Sequence, residues 1–295
     1  MGQMHADEAD TGVPLVRRLI AEQFPQWARL PVELVDRDGT SNAMFRLGDD
    51  MVVRLPRIAG AAEDVQKEHT WLPRLAPQLP VAIPVPLGQG GPGAGYPWSW
   101  SVYGWLDGAN PVVGRRPPGD DSPLAEDLAA FTKALRAIDP EGGPAAYRSE
   151  PLAARDAATR RAVAALDGVI DADTVEAVWE DALGVPEWDG PAVWIHADLQ
   201  PGNLLVSEGR LTGVIDFGCL GLGDPAVDFM PAWYVLPGAA RPVFRAAVGA
   251  DEASWARARG WALSVALMEL QYYRDTNPVM TAVAGHVLKE ILAEG

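Results

Sequence analysis

The stretch from Val193 to Phe229, VWIHADLQPGNLLVSEGRLTGVIDFGCLGLGDPAVDF, constrains the fold more than any other part of the chain. It holds His196-x-Asp198-x-x-x-x-Asn203, then a short strand-turn-strand pattern, then Ile215-Asp216-Phe217-Gly218. An apolar, β-rich run precedes each cluster, so strands deliver both sets of polar side chains at fixed spacing. A single Asp after a strand is most often a turn residue or a helix cap. His, Asp, Asn and a second Asp at these intervals form a joint pattern that suits phosphoryl transfer from a metal-bound nucleotide.

The chemistry explains the residue types. Moving a phosphoryl group to a hydroxyl needs a carboxylate beside the acceptor oxygen and hard oxygen ligands to hold Mg2+ among the phosphates. Asp198 is the natural base, with His196 in the same catalytic motif. Asn203, in a Pro-Gly turn, offers a neutral carbonyl oxygen, and Asp216, at the end of the run LTGVI, offers a charged one. Together they form a pair of metal ligands.

HADLQPGN, VIDFG and GDPAVDF resemble the aminoglycoside phosphotransferase and related small-molecule kinase family, with weaker support from TSNAMFRLGDDMVVRLPR and KEHTWLPRL. The resemblance spans most of the chain. It implies an α+β, bilobal protein-kinase-like fold: a small β-rich N-terminal lobe with one main helix, residues 1–103, and a larger, mostly helical C-terminal lobe, residues 104–295, for catalysis and acceptor binding. It also implies ATP or GTP with Mg2+, and transfer of the γ-phosphate to a hydroxyl of a small molecule, often an antibiotic. Two rival readings are a kinase of another metabolite or a macrolide on the same fold, and a non-catalytic nucleotide-binding pseudokinase. The presence of His196, Asp198, Asn203 and Asp216 disfavours the pseudokinase.

At 295 residues the chain has room for two lobes or one large domain. No apolar run approaches the ~20 residues that span a bilayer, and the start, MGQMHADEADTG, is polar and acidic rather than a signal peptide. A cytoplasmic protein with no membrane partner is expected. Cys219 is the only cysteine, so no internal disulfide can form. The formal charge of −16 repels phosphate backbones and argues against nucleic acid as a partner. The same field attracts a cationic small-molecule acceptor, or simply keeps the surface soluble.

From Pro14 to Trp27 the apolar spacing predicts an amphipathic helix. Three β-rich runs follow, at 32–37, 42–48 and 51–57, separated by Asp38-Gly39 and Gly48-Asp49-Asp50, which reads as successive hairpins. The first turn sits where a nucleotide-covering loop belongs but lacks G-x-G-x-x-G. Ser41 there is either a phosphate contact or part of a plain hairpin turn.

A kinase carries a lysine on its third strand, paired with a helix glutamate. Here the first lysine is Lys67, so Arg54 in MVVRLPR is the candidate for that role, against the alternative of an outward arginine on a half-exposed strand. The helix predicted over 61–79 has a stripe of Val65, Leu72, Leu75, Ala76 and Leu79, and Glu68 falls on it. A carboxylate on a buried face needs a cation, so Glu68 is the expected partner of Arg54 and Glu63 faces water.

Residues 79–97 are rich in proline and glycine and read as an extended segment and loop before the strand WSWSVYGWL. By resemblance, Ser101, Val102 and Tyr103 belong to a hinge, running to Leu106, whose backbone meets the nucleobase edge. GANPVVGRRPPGDDSP is a surface loop before a helix to about Ile138, with Ser122 as cap and Pro123 at its first position. Two helices are expected between 145 and 184.

After Gly218 no room remains for a long activation segment, which favours a small-molecule acceptor. Asp224 and Asp228 either tie down the catalytic loop, meet the acceptor, or cap a helix start. The tail reads as helices over 251–275 and 278–293, broken at Asn277-Pro278. Glu269 and Asp275 there are candidates for binding ammonium groups of the acceptor, or plain solvated helix positions.

Overall fold

In a computed structural model, which describes residues 11–35, 41–112 and 122–294, the alternating runs become β1 (Val32–Leu34), β2 (Asn42–Leu47) and β3 (Met51–Pro56). They join β4 (Pro86–Gly90) and β5 (Trp100–Gly104) in a five-stranded antiparallel sheet of order β1-β2-β3-β5-β4. The register sets Val53 opposite Val102, Arg54 opposite Ser101 and Met44 opposite Arg54. Side chains alternate across a strand, so Val53, Leu55 and Val102 enter one core cluster with Leu15, Val16, Leu19 and Ile20 of α1 (Val13–Gln23). Burial of each such side chain contributes about 2 kcal/mol.

The same alternation sends Arg54, Ser101 and Tyr103 to the opposite face, where their side chains meet α2 (Ala59–Leu75). The buried positions of α2 are Ala61, Val65, Glu68, Leu72 and Leu75, while Glu63 is exposed. Pro73 sits in the last turn of α2, and the helix ends at Leu75 rather than Leu79. Pro77 has no N–H to give to the Pro73 carbonyl, so the helical ladder cannot continue past Ala76, which explains the early end. A 3-10 turn, Ala76–Gln78, follows.

Residues Met1–Gln78, Ala82–Asp107 and Gly213–Gly218 form one compact unit, and Leu79–Val81, Gly108–Thr212 and Cys219–Gly295 form the other. The second is built from α3 (Ser122–Arg136), α4 (Asp156–Ala165), α5 (Ala172–Leu183), β6 (Val193–Ile195), β7 (Leu204–Ser207), β8 (Arg210–Val214) and β9 (Gly221–Gly223), then α6 (Pro231–Tyr234), α7 (Arg241–Val248), α8 (Glu252–Tyr273) and α9 (Pro278–Leu292). β8 carries the chain back into the first unit at Gly213.

Helix α8 is buried along most of its length and packs on α4, α5, α9 and the 3-10 turn Pro225–Phe229. Asp251 caps its start by accepting from the Ser254 N–H at 2.7 Å. The predicted break at Asn277-Pro278 is the N-terminus of α9: Asn277 accepts from the Val279 and Met280 N–H groups, and Pro278 takes the first helical position, where no N–H is needed.

Two departures from the sequence expectation have physical causes. β4 lies inside the Pro- and Gly-rich segment read as an extended stretch and loop, because edge pairing with β5 overrides poor strand propensity and makes part of it a strand. Helix α7 was not anticipated; it is only Arg241–Val248 and closes on Gly249 in the left-handed conformation, φ +70. The two helices expected between 145 and 184 are α4 and α5, and α5 closes on Gly184. Asp38-Gly39-Thr40, the start MGQMHADEAD and much of the 107–121 loop, with the N-terminal cap of α3, lie outside the described residues. Among the described residues no helix is long and apolar enough to cross a membrane.

Candidate active site

Arg54 is the centre of a cluster in the first unit. Its Nη1 donates to Glu68 Oε1 at 2.5 Å and its Nη2 to Asp216 Oδ1 at 2.6 Å. With the Asn42 amide turned so that its oxygen faces Arg54, that oxygen accepts from Nε and Nη2 at 3.1 and 2.9 Å. Tyr103 donates its hydroxyl to the other Glu68 oxygen, Oε2. Burial works against the Arg54 charge, but Glu68 and Asp216 more than offset it and hold the guanidinium well above its ordinary value. Burial, with Glu68 adding, keeps the Tyr103 phenol protonated, so it acts as a donor.

The turn that carries Asp216 is held by α2. Lys67 donates to the Gly218 carbonyl and pairs with Asp64 at 2.9 Å. A Cβ added at Gly218 would stand 2.9 Å from Asp64 Oδ2, so the close approach suits glycine. Asp216 itself takes φ +62, a left-handed conformation that is costly for a residue with a Cβ. Its carboxylate remains 46 % exposed.

In the second unit the turn after β6 is gripped through its backbone. Asp228 is buried, and its two oxygens accept from the His196 and Ala197 N–H groups, each at 2.8 Å. Burial pushes the Asp228 carboxyl up to about 7, against the pull of those two bonds. Ala197 takes φ +64. The His196 ring is buried, and its Nδ1 accepts from the Asp198 N–H at 3.2 Å.

The Asp198 carboxylate is held on both oxygens. Asn203 Nδ2 donates to Oδ2 at 2.9 Å, while Arg148 Nη1 and Gln200 Nε2 donate to Oδ1 at 3.0 and 3.2 Å. Gln200 Nε2 also donates to Glu269 Oε1 at 2.5 Å, and the Tyr234 hydroxyl donates to Glu269 Oε2 at 2.9 Å. Burial, reinforced by the Asp198 charge, raises the Glu269 carboxyl to about 7.

The remaining predicted residues are placed as follows. Asp224 accepts from the Ala226 N–H at 2.9 Å and pairs with Arg257 at 2.7 Å, which makes it a cap with a buried counter-ion. Asp275 is 83 % exposed and lies beside Arg274 at 3.3 Å. Ser41 offers its carbonyl to the Arg57 N–H at 2.9 Å. Ser101, Val102 and Tyr103 sit in β5 between β3 and β4, so ladders on both sides engage their backbones. The Ser101 hydroxyl meets His69 Nε2 at 3.0 Å. Arg148, Gln200 and Tyr234 escaped the sequence reading. Gln200 lies inside the catalytic motif and was within reach of it; Arg148 and Tyr234 sit in ordinary loop and helix sequence with no distinguishing signal.

Two oxygens suit a hard cation such as Mg2+, each considered within its own unit. Asn203 turns its amide nitrogen to Asp198, which directs its carbonyl oxygen away, and Asp216 keeps an exposed carboxylate. Among the described residues no three His, Cys, Asp or Glu side chains converge as a preformed cage. Mg2+ asks for none, since it takes one or two protein oxygens and completes its octahedron with phosphate and water.

The chain belongs to the phosphotransferase enzyme family, whose model matches residues 34–261. Among solved structures it is similar to the GDP and kanamycin complex of APH(2″)-IIIa, at TM-score 0.75 and 23 % identity, over 95 % of this chain and 99 % of that one. It is also similar to macrolide 2′-phosphotransferase MphH from Brachybacterium faecium, at TM-score 0.64 and 23 % identity, over 93 % and 97 %. A third likeness is to ADP-bound aminoglycoside phosphotransferase APH(2″)-Ib, at TM-score 0.63 and 15 % identity, over 95 % and 98 %. The shared fold is the protein-kinase-like α+β arrangement. Comparison with curated proteins gives no match.

Proposed function

We propose that the protein is a Mg2+-dependent O-phosphotransferase that moves the γ-phosphate of ATP or GTP to a hydroxyl of a cationic, aminoglycoside-type small molecule in the cytoplasm. The observation that carries the reading is the Asp198 carboxylate, held by Asn203, Gln200 and Arg148 on a turn anchored by Asp228. Residues 1–103 supply most nucleotide contacts, and residues 104–295 supply the base and the acceptor site.

In this reading Asp198 accepts the proton of the acceptor hydroxyl as its oxygen attacks the γ-phosphorus, and the bond to the β–γ bridging oxygen breaks. His196 holds the Asp198 backbone from below. Arg54 serves the nucleotide phosphates, with Glu68 and Tyr103 fixing its orientation, and Ser41 lies at the covering loop. Asn203 and Asp216 would hold Mg2+, which when bound would neutralise charge on the phosphates. Leu106, beyond the two-sided ladder of β5 and past Trp105, whose N–H donates to the Asp50 carbonyl at 2.8 Å, carries the hinge role more readily than Ser101, Val102 and Tyr103. Asp224 and Asp228 hold the catalytic turn and its flank. Glu269 works within the bonded network around Asp198, which leaves exposed Asp275 as the acidic contact for an ammonium group.

The net charge of −16 and the fold shared with a kanamycin complex favour an aminoglycoside acceptor. The test is a panel of aminoglycosides, macrolides and hydroxylated metabolites, assayed for ADP or GDP release with and without Mg2+. Release stimulated by an aminoglycoside supports the reading. Stimulation only by a macrolide or a neutral metabolite moves the acceptor class, and no stimulation by any hydroxyl compound removes the activity.

A further inference from the structure

We propose that Arg148 is a positioning residue for this transfer, fixing the Asp198 carboxylate and the backbone turn beneath it. The inference rests on Asp198 being the base. One nitrogen of Arg148, Nη1, donates both to the Ala197 carbonyl and to Asp198 Oδ1, the latter at 3.0 Å. A single group thus ties the side chain of Asp198 to the peptide that precedes it. The turn needs such a hold, because Ala197 is left-handed at φ +64, a conformation that costs about 1 kcal/mol in a residue with a Cβ. Asp228 takes the two N–H groups of His196 and Ala197, and Arg148 takes the carbonyl that follows. The turn is therefore clamped from its donor side by a carboxylate and from its acceptor side by a guanidinium.

The path of the chain delivers Arg148 to this point. Residues 144–147 run along β9: Leu222 N–H donates to the Pro144 carbonyl at 2.7 Å, Ala146 N–H to the Leu222 carbonyl at 3.0 Å, and Tyr147 N–H to the Cys219 carbonyl at 3.1 Å. A Cβ added at Gly221 would stand 2.4 Å from the Ala146 nitrogen, so glycine there permits the approach. Arg148 is 11 % exposed. A guanidinium suits the task better than an ammonium, since the two N–H bonds of Nη1 are fixed in the guanidinium plane and lose less freedom per bond formed than a rotating ammonium does.

A misplaced base by about 1 Å costs roughly a hundredfold in rate, so Arg148→Gln is expected to lower kcat about that much. Nucleotide Kd by calorimetry and acceptor KM should stay within about threefold of wild type, because neither is bound through Arg148. Arg148→Lys keeps the charge without the fork and should recover roughly tenfold of the loss. Wild type and Asp198→Asn are assayed beside them. Turnover by Asp198→Asn within about tenfold of wild type removes the base reading itself, whatever Arg148 does. An inactive Asp198→Asn beside Arg148→Gln with wild-type kcat overturns the Arg148 assignment alone. Should Arg148→Gln fail to fold, Arg148→Lys carries the test: lowered kcat at unchanged nucleotide Kd supports the proposal, and wild-type kcat overturns it.

Discussion

Arg54 and Glu68 meet at 2.5 Å, Nη1 to Oε1, with the arginine 12 % and the glutamate 2 % exposed. The strand alternation of β3 and the helical stripe of α2 put opposite charges on facing buried surfaces, and Asp216 adds a second carboxylate to the same guanidinium at 2.6 Å. This pairing is what supports the proposed role of Arg54 where the resemblance calls for a lysine.

Removing either partner strands a buried charge. Arg54→Ala and Glu68→Ala should each cost about 3 kcal/mol of stability, and the double variant less than the sum. Chemical denaturation of the three variants measures this. Additive losses would show that the pair does not interact in solution. Arg54→Lys should retain part of the turnover, since it keeps charge but shortens the reach and loses the fork.

Asp216→Ala removes the charged oxygen assigned to the metal and one acceptor of Arg54. Nucleotide affinity in the presence of Mg2+ should fall by at least about tenfold, and affinity in EDTA should change far less. Calorimetric titrations in the two buffers give the comparison. Undiminished affinity with Mg2+ would sink the ligand role.

Much of this arrangement was legible in the sequence, and the parts that were not share a cause. Period-2 and period-3.6 patterns disclosed β2, β3, α1, α2 and the two terminal helices, because one-sided burial writes itself into residue spacing. Glu68 was found because a carboxylate broke an apolar stripe. Asp228 was visible as an acidic residue after the motif, but its choice among capping, acceptor binding and loop anchoring depended on long-range contacts to His196 and Ala197. Arg148 was invisible for the same reason: its partners lie about 50 residues away, and nothing local in AAYRSE distinguishes it from a surface arginine. The packing of Gly213–Gly218 with the first unit likewise follows from tertiary contacts and not from chain order.

Asp228→Asn tests the backbone anchor. One carboxylate oxygen becomes an NH2 group facing a buried N–H donor, so one of the two bonds to the turn is lost and a donor is left unpaired. A stability loss of about 2 kcal/mol is expected, with a fall in kcat larger than any change in nucleotide Kd. Thermal unfolding with steady-state kinetics checks it. A variant as stable and as active as wild type would show that the turn holds without the anchor.

Glu269 supplies a pH-dependent test with a definite sign. Its carboxyl is raised to about 7 by burial, with the Asp198 charge adding and the bonds from Gln200 and Tyr234, together with Arg148, opposing. An unfolded glutamate titrates near 4.3, so between about pH 4.3 and 7 the folded protein binds more protons than the unfolded chain. The contribution to stability is full below that window and is lost as pH rises through the folded value. Glu269→Gln is neutral at every pH and can keep the Tyr234 bond, so its stability should decline less steeply across the window. The accumulated difference between the two declines should amount to roughly 4 kcal/mol from about pH 4 to 8. Asp228, raised to about 7 as well, leaves the variant with a residual decline in the same direction. Thermal or urea unfolding of wild type and variant at matched ionic strength reads the two slopes. Parallel pH dependences would show that Glu269 does not take up a proton in the folded state, and its bonds to Gln200 and Tyr234 would then hold an ionised carboxylate throughout.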